Sequence, residues 1–246
     1  DFFGRSLLIE ELLRQVEDSR FVAVVGASGA GKSSVVMAGL IPHLPLDRWI
    51  VAAMVPGSDP FGAARAAIQD AIPGGTADDN VPRGDDLDLL RSIELAIPEG
   101  GQRLLLVVDQ FEELLHQVTD EAVCARFVRN LVEAIEDPSA RLTVLIALRA
   151  DHLDRALSQP LLGELISAAA VGVRPLRPAE LEAAAARPAQ RAGVHMEPEL
   201  IAELVGDMTG QPGALPQFQY VLTELFEART GPVLQRAAYR RLGGLR

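Results

Sequence analysis

The nine residues GASGAGKSS, at positions 26–34, constrain this chain more than any other part of its sequence. They follow the apolar run RFVAVV, typical of a buried strand, and precede SSVVMAGLI, which has the pattern of a helix. Glycines at such a junction let successive backbone N–H groups turn towards a phosphate, and the helix N-terminus adds positive potential there. The stretch fits the phosphate-loop pattern G-x-x-x-x-G-K-[ST], with its fixed positions at Gly26, Gly31, Lys32 and Ser33.

Lys32 is the only lysine among 23 basic residues, and the others are arginines. A compact ammonium group on a flexible stem fits inside a closed phosphate loop, whereas a planar guanidinium is bulkier and more rigid. We expect Lys32 to reach the β- and γ-phosphates of a nucleotide and the Ser33 hydroxyl to ligate Mg²⁺. The rest of the expected nucleotide-binding loop consists of Ala27, Ser28, Gly29, Ala30 and Ser34.

The composition excludes several classes of function. The formal net charge of −11 disfavours a nucleic-acid-binding surface, because phosphate backbones are held by clustered basic residues. A single cysteine rules out a disulfide within the chain and fits a reducing compartment. The sequence has no apolar run as long as a membrane span and no signal segment at its start. We therefore expect a cytoplasmic protein that binds neither nucleic acid nor membrane directly.

Short apolar runs alternate with helical patterns, which predicts an α/β fold with a parallel five-stranded sheet sandwiched by helices. The strands are predicted at 21–25, 49–55, 103–109, 142–148 and 171–173, and the helices at 6–17, 32–42, 60–71, 85–96 and 119–136. A loop rich in Gly, Pro and Asp is predicted at 73–86. Further helices are predicted at 178–192, 197–208, 211–229 and 232–241. The sequence thus predicts a nucleotide-binding α/β domain over 1–176 and a small all-helical lid subdomain over 177–246.

A metal partner for the phosphate loop is predicted in the run RLLLVVDQFEEL. Its apolar strand ends in Asp109, where a carboxylate would hold Mg²⁺ through water beside Ser33; the alternative is that Asp109 caps the next helix. Glu112 and Glu113 follow on the first helical turn and are candidates to orient an attacking water, with a weak preference for Glu112. The alternative is that both acids only stabilise a helix N-terminus.

Arg149 directly follows the fourth predicted strand, in the run VLIALRAD. The carboxyl ends of the strands form the ligand side of an open α/β sheet, so Arg149 can face a γ-phosphate and report its loss. The alternative is a structural pair with Asp151. The four histidines have no metal-ligand spacing, and no role is assigned to them.

Together these motifs resemble the STAND class of P-loop NTPases, and within it the bacterial novel STAND group, which is related to the NACHT and NB-ARC ATPases. FFGR, at 2–5, is similar to the N-terminal signature of the group, so Gly4 and Arg5 carry over, although Ser6 stands where a glutamate is usual. GALPQFQYVL resembles its Gly-x-Pro motif, in which Pro216 would contact the base. LQRAAYRRLGGL resembles the segment leading into a winged-helix domain, at which this sequence stops.

The resemblance implies an ATP-binding regulatory switch with ATP or ADP and Mg²⁺ as cofactors. Its partners would be flanking sensor and effector domains of the same chain, with nucleotide-dependent self-association. Gln110 stands where many P-loop ATPases have a catalytic glutamate, which implies slow hydrolysis. With the one lysine in the phosphate loop, the guanine-reading motif Asn-Lys-x-Asp is absent, so ATP is preferred to GTP. The alternatives are a nucleic-acid-remodelling ATPase and a nucleotide-binding scaffold without hydrolysis.

Overall fold

A computed structural model describes residues 3–72, 101–211 and 213–244. The loop predicted at 73–86 and the helix predicted at 85–96 lie outside the described residues. In the parts of the chain that are described, no helix is long and apolar enough to cross a membrane.

The larger sheet consists of the strands β1 Phe21–Gly26, β2 Trp49–Met54, β3 Arg103–Val108, β4 Leu142–Arg149 and β5 Ala170–Val173. Their order across the sheet is β2-β3-β4-β1-β5. The neighbouring pairs β2–β3, β3–β4 and β4–β1 are parallel. All five predicted strands are confirmed, each within one residue at either end, because their apolar runs are buried in a sheet covered on both faces.

The parallel arrangement brings several predicted site residues to one edge of the sheet. Gly26, the last residue of β1, is in register with Arg149, the last residue of β4. Asp109 directly follows β3, the neighbour of β4 on its other side. The carboxyl ends of parallel strands form the ligand-binding edge of such sheets. The edge therefore carries the start of the phosphate loop, the predicted metal-binding carboxylate and the predicted sensor arginine.

The helices predicted at 6–17, 60–71 and 119–136 are confirmed as Ser6–Asp18, Pro60–Ala71 and Glu121–Glu136. The helix predicted at 32–42 changes its winding along its length. One α-helical turn at Lys32–Ser34 passes into a π-helical segment, Val35–Leu40, and a 3₁₀ turn, Ile41–His43. The helix expected after Asp109 is Glu112–His116, and two helices were not predicted from the sequence: Leu153–Leu157 and Pro160–Ala169.

The described residues form two compact units. The sheet unit consists of Glu10–Gly26 and Leu40–Gly172. The loop-and-lid unit consists of the described residues of Asp1–Ile9, Ala27–Gly39 and Val173–Arg246. The phosphate loop after Gly26 thus belongs to the same compact unit as the C-terminal helices. The division into domains at residue 176 remains a prediction.

The C-terminal part of the loop-and-lid unit packs four helices around buried side chains such as Leu200, Leu204 and Phe218. It also contains two short strands, β6 His195–Met196 and β7 Val233–Leu234, which pair in parallel. The helix predicted at 232–241 is therefore wrong in its first part, because a two-residue ladder is too short to leave a periodic pattern. The helices are Pro178–Arg191, Pro198–Met208, Leu215–Glu227 and Arg236–Arg241.

Candidate functional site

The phosphate loop has the backbone geometry that its glycines permit. Gly29 and Gly31 have φ angles of +66° and +86°, a left-handed conformation that side chains rarely adopt. The Ala30 N–H donates to the Ala27 carbonyl at 3.1 Å, which curls the loop. The Gly31 carbonyl accepts from the N–H of Val35 at 2.8 Å, which joins the loop to the following helix. The loop is therefore a compact turn opening a helix, as the motif predicts.

The Lys32 side chain lies over this loop. It is only 9% exposed, and its Nζ donates to the Ala27 carbonyl at 3.1 Å. An ammonium group loses hydration when it is buried, so its contacts within the site have to replace that hydration. Because its stem is flexible, the group can exchange a carbonyl contact for a phosphate oxygen.

A pocket of about 720 Å³ lies within the loop-and-lid unit. One part of its lining is the phosphate loop from Gly29 to Ser34, which includes Lys32 and Ser33. The rest is mainly apolar, and it includes Pro216, the residue predicted to contact a base. Small-molecule pockets typically have this size and combine apolar walls with a few convergent polar groups. Apolar lining residues from the C-terminal segment are Leu176, Pro188, Leu215, Phe218 and Leu222.

The loop touches the segment before Pro216 through backbone atoms. A Cβ built on Gly29 would lie 2.6 Å from the Gly213 carbonyl oxygen. A Cβ on Gly213, whose φ is +80°, would lie 2.9 Å from the Ser28 carbonyl oxygen. Both distances are shorter than real Cβ contacts. The contact thus requires glycine on both sides, a relation that the sequence analysis missed because the two positions are far apart in the chain.

At the sheet edge, within the sheet unit, the chain turns sharply after β3. The Asp109 carboxylate accepts the Gln110 N–H at 2.9 Å, and Gln110 has a φ of +50°. Phe111 is fully buried, and its N–H donates to the Ala147 carbonyl at 2.9 Å. A non-glycine residue in this conformation costs about 1 to 3 kcal/mol and is concentrated at functional sites. The left-handed conformation of Gln110 turns the chain, so that the helix starting at Glu112 follows directly.

The two candidate glutamates are in different environments. Glu112 is 8% exposed, and its Oε2 accepts the backbone N–H of Arg149 at 3.2 Å. Glu113 is only half-buried. Glu112 thus fixes the end of β4 next to the helix, whereas the neighbouring carboxylate is accessible.

The Arg149 guanidinium makes two hydrogen bonds with the Asp151 carboxylate, from Nε at 3.0 Å and from Nη2 at 2.6 Å. This is the structural pair that the sequence analysis left open as the alternative. The hydrogen bond from Arg149 lowers the pKa of Asp151 to about 2. A lowered pKa stabilises the folded state above the unfolded-state value, and this contribution is lost as the pH falls through about 2. The pair therefore remains charged at neutral pH.

Two histidines without an assigned role are brought together near this pair. His116 Nε2 lies 2.8 Å from His152 Nδ1, and Arg155 donates to His116 Nδ1 at 3.1 Å. Over residues 3–72, 101–211 and 213–244, no group of three or more metal-ligating side chains forms a site for a metal ion. We assign the histidine pair no function.

A family model described as novel STAND NTPase 1 matches residues 1–246. The solved structures that are similar to the chain include three that each match 98% of its length. The Walker-type ATPase PABY2304 of Pyrococcus abyssi is 15% identical with a TM-score of 0.63, and 71% of it is covered. The Aeropyrum pernix ORC1 protein in complex with DNA is 15% identical with a TM-score of 0.66 and 65% covered. The Aeropyrum pernix ORC2 protein, in ADPNP–ADP complexes, is 18% identical with a TM-score of 0.67 and 68% covered.

At these identities the structural likeness shows the fold alone, and it confirms the predicted P-loop NTPase fold class. The chain spans about two thirds of the length of the two Aeropyrum proteins. No curated protein matches the chain by sequence.

Proposed function

Because the chain belongs to the novel STAND NTPase 1 family, we propose that it is an ATP-binding, slowly hydrolysing regulatory switch of a larger cytoplasmic signalling protein. Nucleotide binding is supported by the family itself. The partners we propose are flanking sensor and effector domains, with self-association controlled by the bound nucleotide. One observation carries the proposal: the phosphate loop and the C-terminal helices line the same pocket.

The residues of this pocket fit an adenine nucleotide. The phosphate loop offers backbone N–H groups and the buried Lys32 ammonium group to a triphosphate. The apolar wall that includes Pro216 offers a surface for a base. A nucleotide requires both kinds of surface, since its phosphates are anionic and its base is aromatic.

The oxygen donors that we propose for Mg²⁺ also fit that ion. Ser33 lines the pocket, and Asp109 lies at the carboxyl edge of the sheet. Mg²⁺ prefers hard oxygen ligands and is usually held by one or two protein groups together with substrate phosphates. When bound, the ion would offset the negative charge of the β- and γ-phosphates. The assignment of Ser33 and Asp109 as ligands is part of the proposal.

The switch would act through the contact between Gly29 and Gly213. A phosphate held by the loop changes the charge next to the close backbone approach of Gly29 to Gly213. A local charge change can bias an element that has two arrangements. Loss of the γ-phosphate would then be relayed to the C-terminal helices through the same two glycines.

For hydrolysis, we propose that Glu113 rather than Glu112 orients the attacking water. The carboxylate of Glu112 is buried and bound to the backbone of Arg149, so its role is to position the end of β4. A general base must be able to approach the proton that it accepts, and the more accessible Glu113 meets this condition. The weak preference of the sequence analysis for Glu112 is thereby reversed in our proposal.

Glutamine variants of the two acids test this assignment. Glu113→Gln is expected to lower steady-state ATP turnover at least tenfold, the usual contribution of a general base being about 100-fold or more. Glu112→Gln keeps an oxygen that can accept the Arg149 N–H, so turnover should stay within about threefold of the parent. Phosphate release from ATP is measured with ADP affinity as a control for binding. Equal turnover in Glu113→Gln and the parent would remove Glu113 from the mechanism.

The same assay decides between the proposed switch and its alternatives. A remodelling ATPase would turn over ATP rapidly and be stimulated by DNA; the switch should be slow and indifferent to DNA. A scaffold without hydrolysis would bind ADP and release no phosphate above background, and Asp109→Asn would change nothing.

Sizing of the longer parent protein with ATP and with ADP then tests self-association. The same oligomeric state with both nucleotides would contradict the regulatory part of the proposal.

A further inference from the structure

The Arg5 side chain is buried, at 5% exposure, and bridges two backbone segments of the loop-and-lid unit. Its Nη2 donates to the Ala30 carbonyl, in the phosphate loop, at 3.1 Å. Its Nη1 donates to the carbonyl of Arg174, just after β5. A buried guanidinium loses hydration, so its hydrogen bonds to the protein have to replace the lost contacts with water. Its planar fork can reach two carbonyls at once, which an ammonium group on a single stem does less well.

The preceding glycine allows this placement. Gly4 has a φ of +90°, and a Cβ built on it would lie 2.7 Å from the Glu180 carbonyl oxygen. The backbone at Gly4 thus lies directly against the first turn of the helix Pro178–Arg191. Glycine brings the chain close to that helix, and the next side chain can then point at the phosphate loop.

The contact at Ala30 fixes the orientation of a peptide group. The structure contains no cis peptide bond among the described residues. In a planar trans peptide the C=O and the N–H point in opposite directions. When Arg5 holds the Ala30 carbonyl on its own side, the Gly31 N–H must point to the other side. In the described part of the chain that N–H has no hydrogen-bond acceptor, and Gly31 lines the pocket.

We propose that Arg5 is a positioning residue of the phosphate loop, which holds the Ala30–Gly31 peptide so that the Gly31 N–H is presented to a phosphate of the bound nucleotide. This inference rests on the proposed nucleotide binding and deepens it. Arg5 itself also lines the pocket, so the inference adds an action through the backbone to the direct nucleotide contact that the resemblance implies. Without this contact, the Ala30–Gly31 peptide can rotate and turn the Ala30 carbonyl towards the phosphate. The carbonyl oxygen would then repel the phosphate.

The test compares ligands with and without a base. Arg5→Gln is expected to weaken binding of ADP about tenfold, or about 1.4 kcal/mol, and binding of inorganic pyrophosphate by the same factor. Arg5→Lys, which can keep one of the two hydrogen bonds, should restore part of the loss for both ligands. Affinities are measured by competition against a fluorescent ADP analogue, with pyrophosphate up to about 10 mM. Both ligands occupy the loop, but only ADP carries adenine.

Leu204→Ala is the control for a merely structural role. Leu204 is fully buried in the core of the C-terminal helices and lies outside the pocket lining. Its truncation should lower the unfolding midpoint without changing pyrophosphate affinity at a temperature where the variant is folded. If Leu204→Ala weakens pyrophosphate as much as Arg5→Gln, the effect of Arg5 is one of general stability and the inference fails.

Three further outcomes of the binding measurements would also contradict the inference or the proposed function. A loss for ADP with unchanged pyrophosphate affinity would show that Arg5 contacts the nucleoside, and it would overturn the inference. A parent protein that binds ADP but ignores pyrophosphate would contradict a loop prepared to receive phosphate. A parent protein that binds no ADP would instead remove the proposed function, which separates the two failures.

Discussion

Lys32→Ala is expected to lower the affinity for ADP at least 100-fold while the chain stays folded. The variant removes a buried ammonium group from the phosphate loop. Hydrogen bonds between charged groups are about twice as strong as neutral ones, and a loss of about 2.7 kcal/mol corresponds to a factor of 100. The affinity is measured by calorimetry, with circular dichroism and thermal unfolding to establish folding.

Arg14→Ala is the matched control. It also removes one positive charge, but Arg14 is 64% exposed and pairs with Asp18 on the surface of the N-terminal helix. Such pairs contribute little, so stability and ADP affinity should stay close to those of the parent. If Lys32→Ala binds ADP within about twofold of the parent, the phosphate loop does not hold the nucleotide.

Gly213→Ala is expected to give the second large effect, on stability and on nucleotide binding together. The added methyl group would require a left-handed alanine and would meet the Ser28 carbonyl at 2.9 Å. The strain costs about 1 to 2 kcal/mol, and overpacking against backbone adds about 1 to 3 kcal/mol. We expect a loss of about 2 to 5 kcal/mol in denaturant unfolding and at least tenfold weaker ADP binding.

Gly210→Ala separates the effect of the close contact with Ser28 from the effect of a left-handed alanine. Gly210 has a φ of +81°, nearly that of Gly213, but a Cβ built on it meets no atom of the described residues within 4 Å. This variant should lose only about 1 to 2 kcal/mol and keep its ADP affinity. Equal effects of the two substitutions on ADP binding would mean that the contact between Gly213 and the loop does not matter for the nucleotide.

The five strands of the larger sheet were predictable because each is a short, nearly continuous apolar run. Residues 104–108 of β3 are almost completely buried, and their sequence alone indicates a strand covered on both faces. The π-helical segment Val35–Leu40 was not predictable, since it has the same composition and spacing as an α-helix. The ladder between β6 and β7 pairs two residues of each strand, which is too short for an alternating pattern.

In the candidate site, the residues of the local motif were predictable and the contacts between distant segments were not. Lys32 and its loop lie within nine consecutive residues, so a sequence pattern can identify them. The bond between Arg5 and Ala30 spans 25 residues, and the contact between Gly29 and Gly213 spans far more. The choice between Glu112 and Glu113 depends on the residue at which their helix begins, because neighbouring helical residues point in different directions.

The most direct test of the central claim is backbone hydrogen exchange of residues 26–34 in the folded chain, with and without saturating ADP. If the amides of this loop hold the phosphates, several of them, including that of Gly31, should exchange at least tenfold more slowly with ADP bound. Exchange in this segment that is unchanged at millimolar ADP would contradict the account, because the loop would then not be the phosphate site.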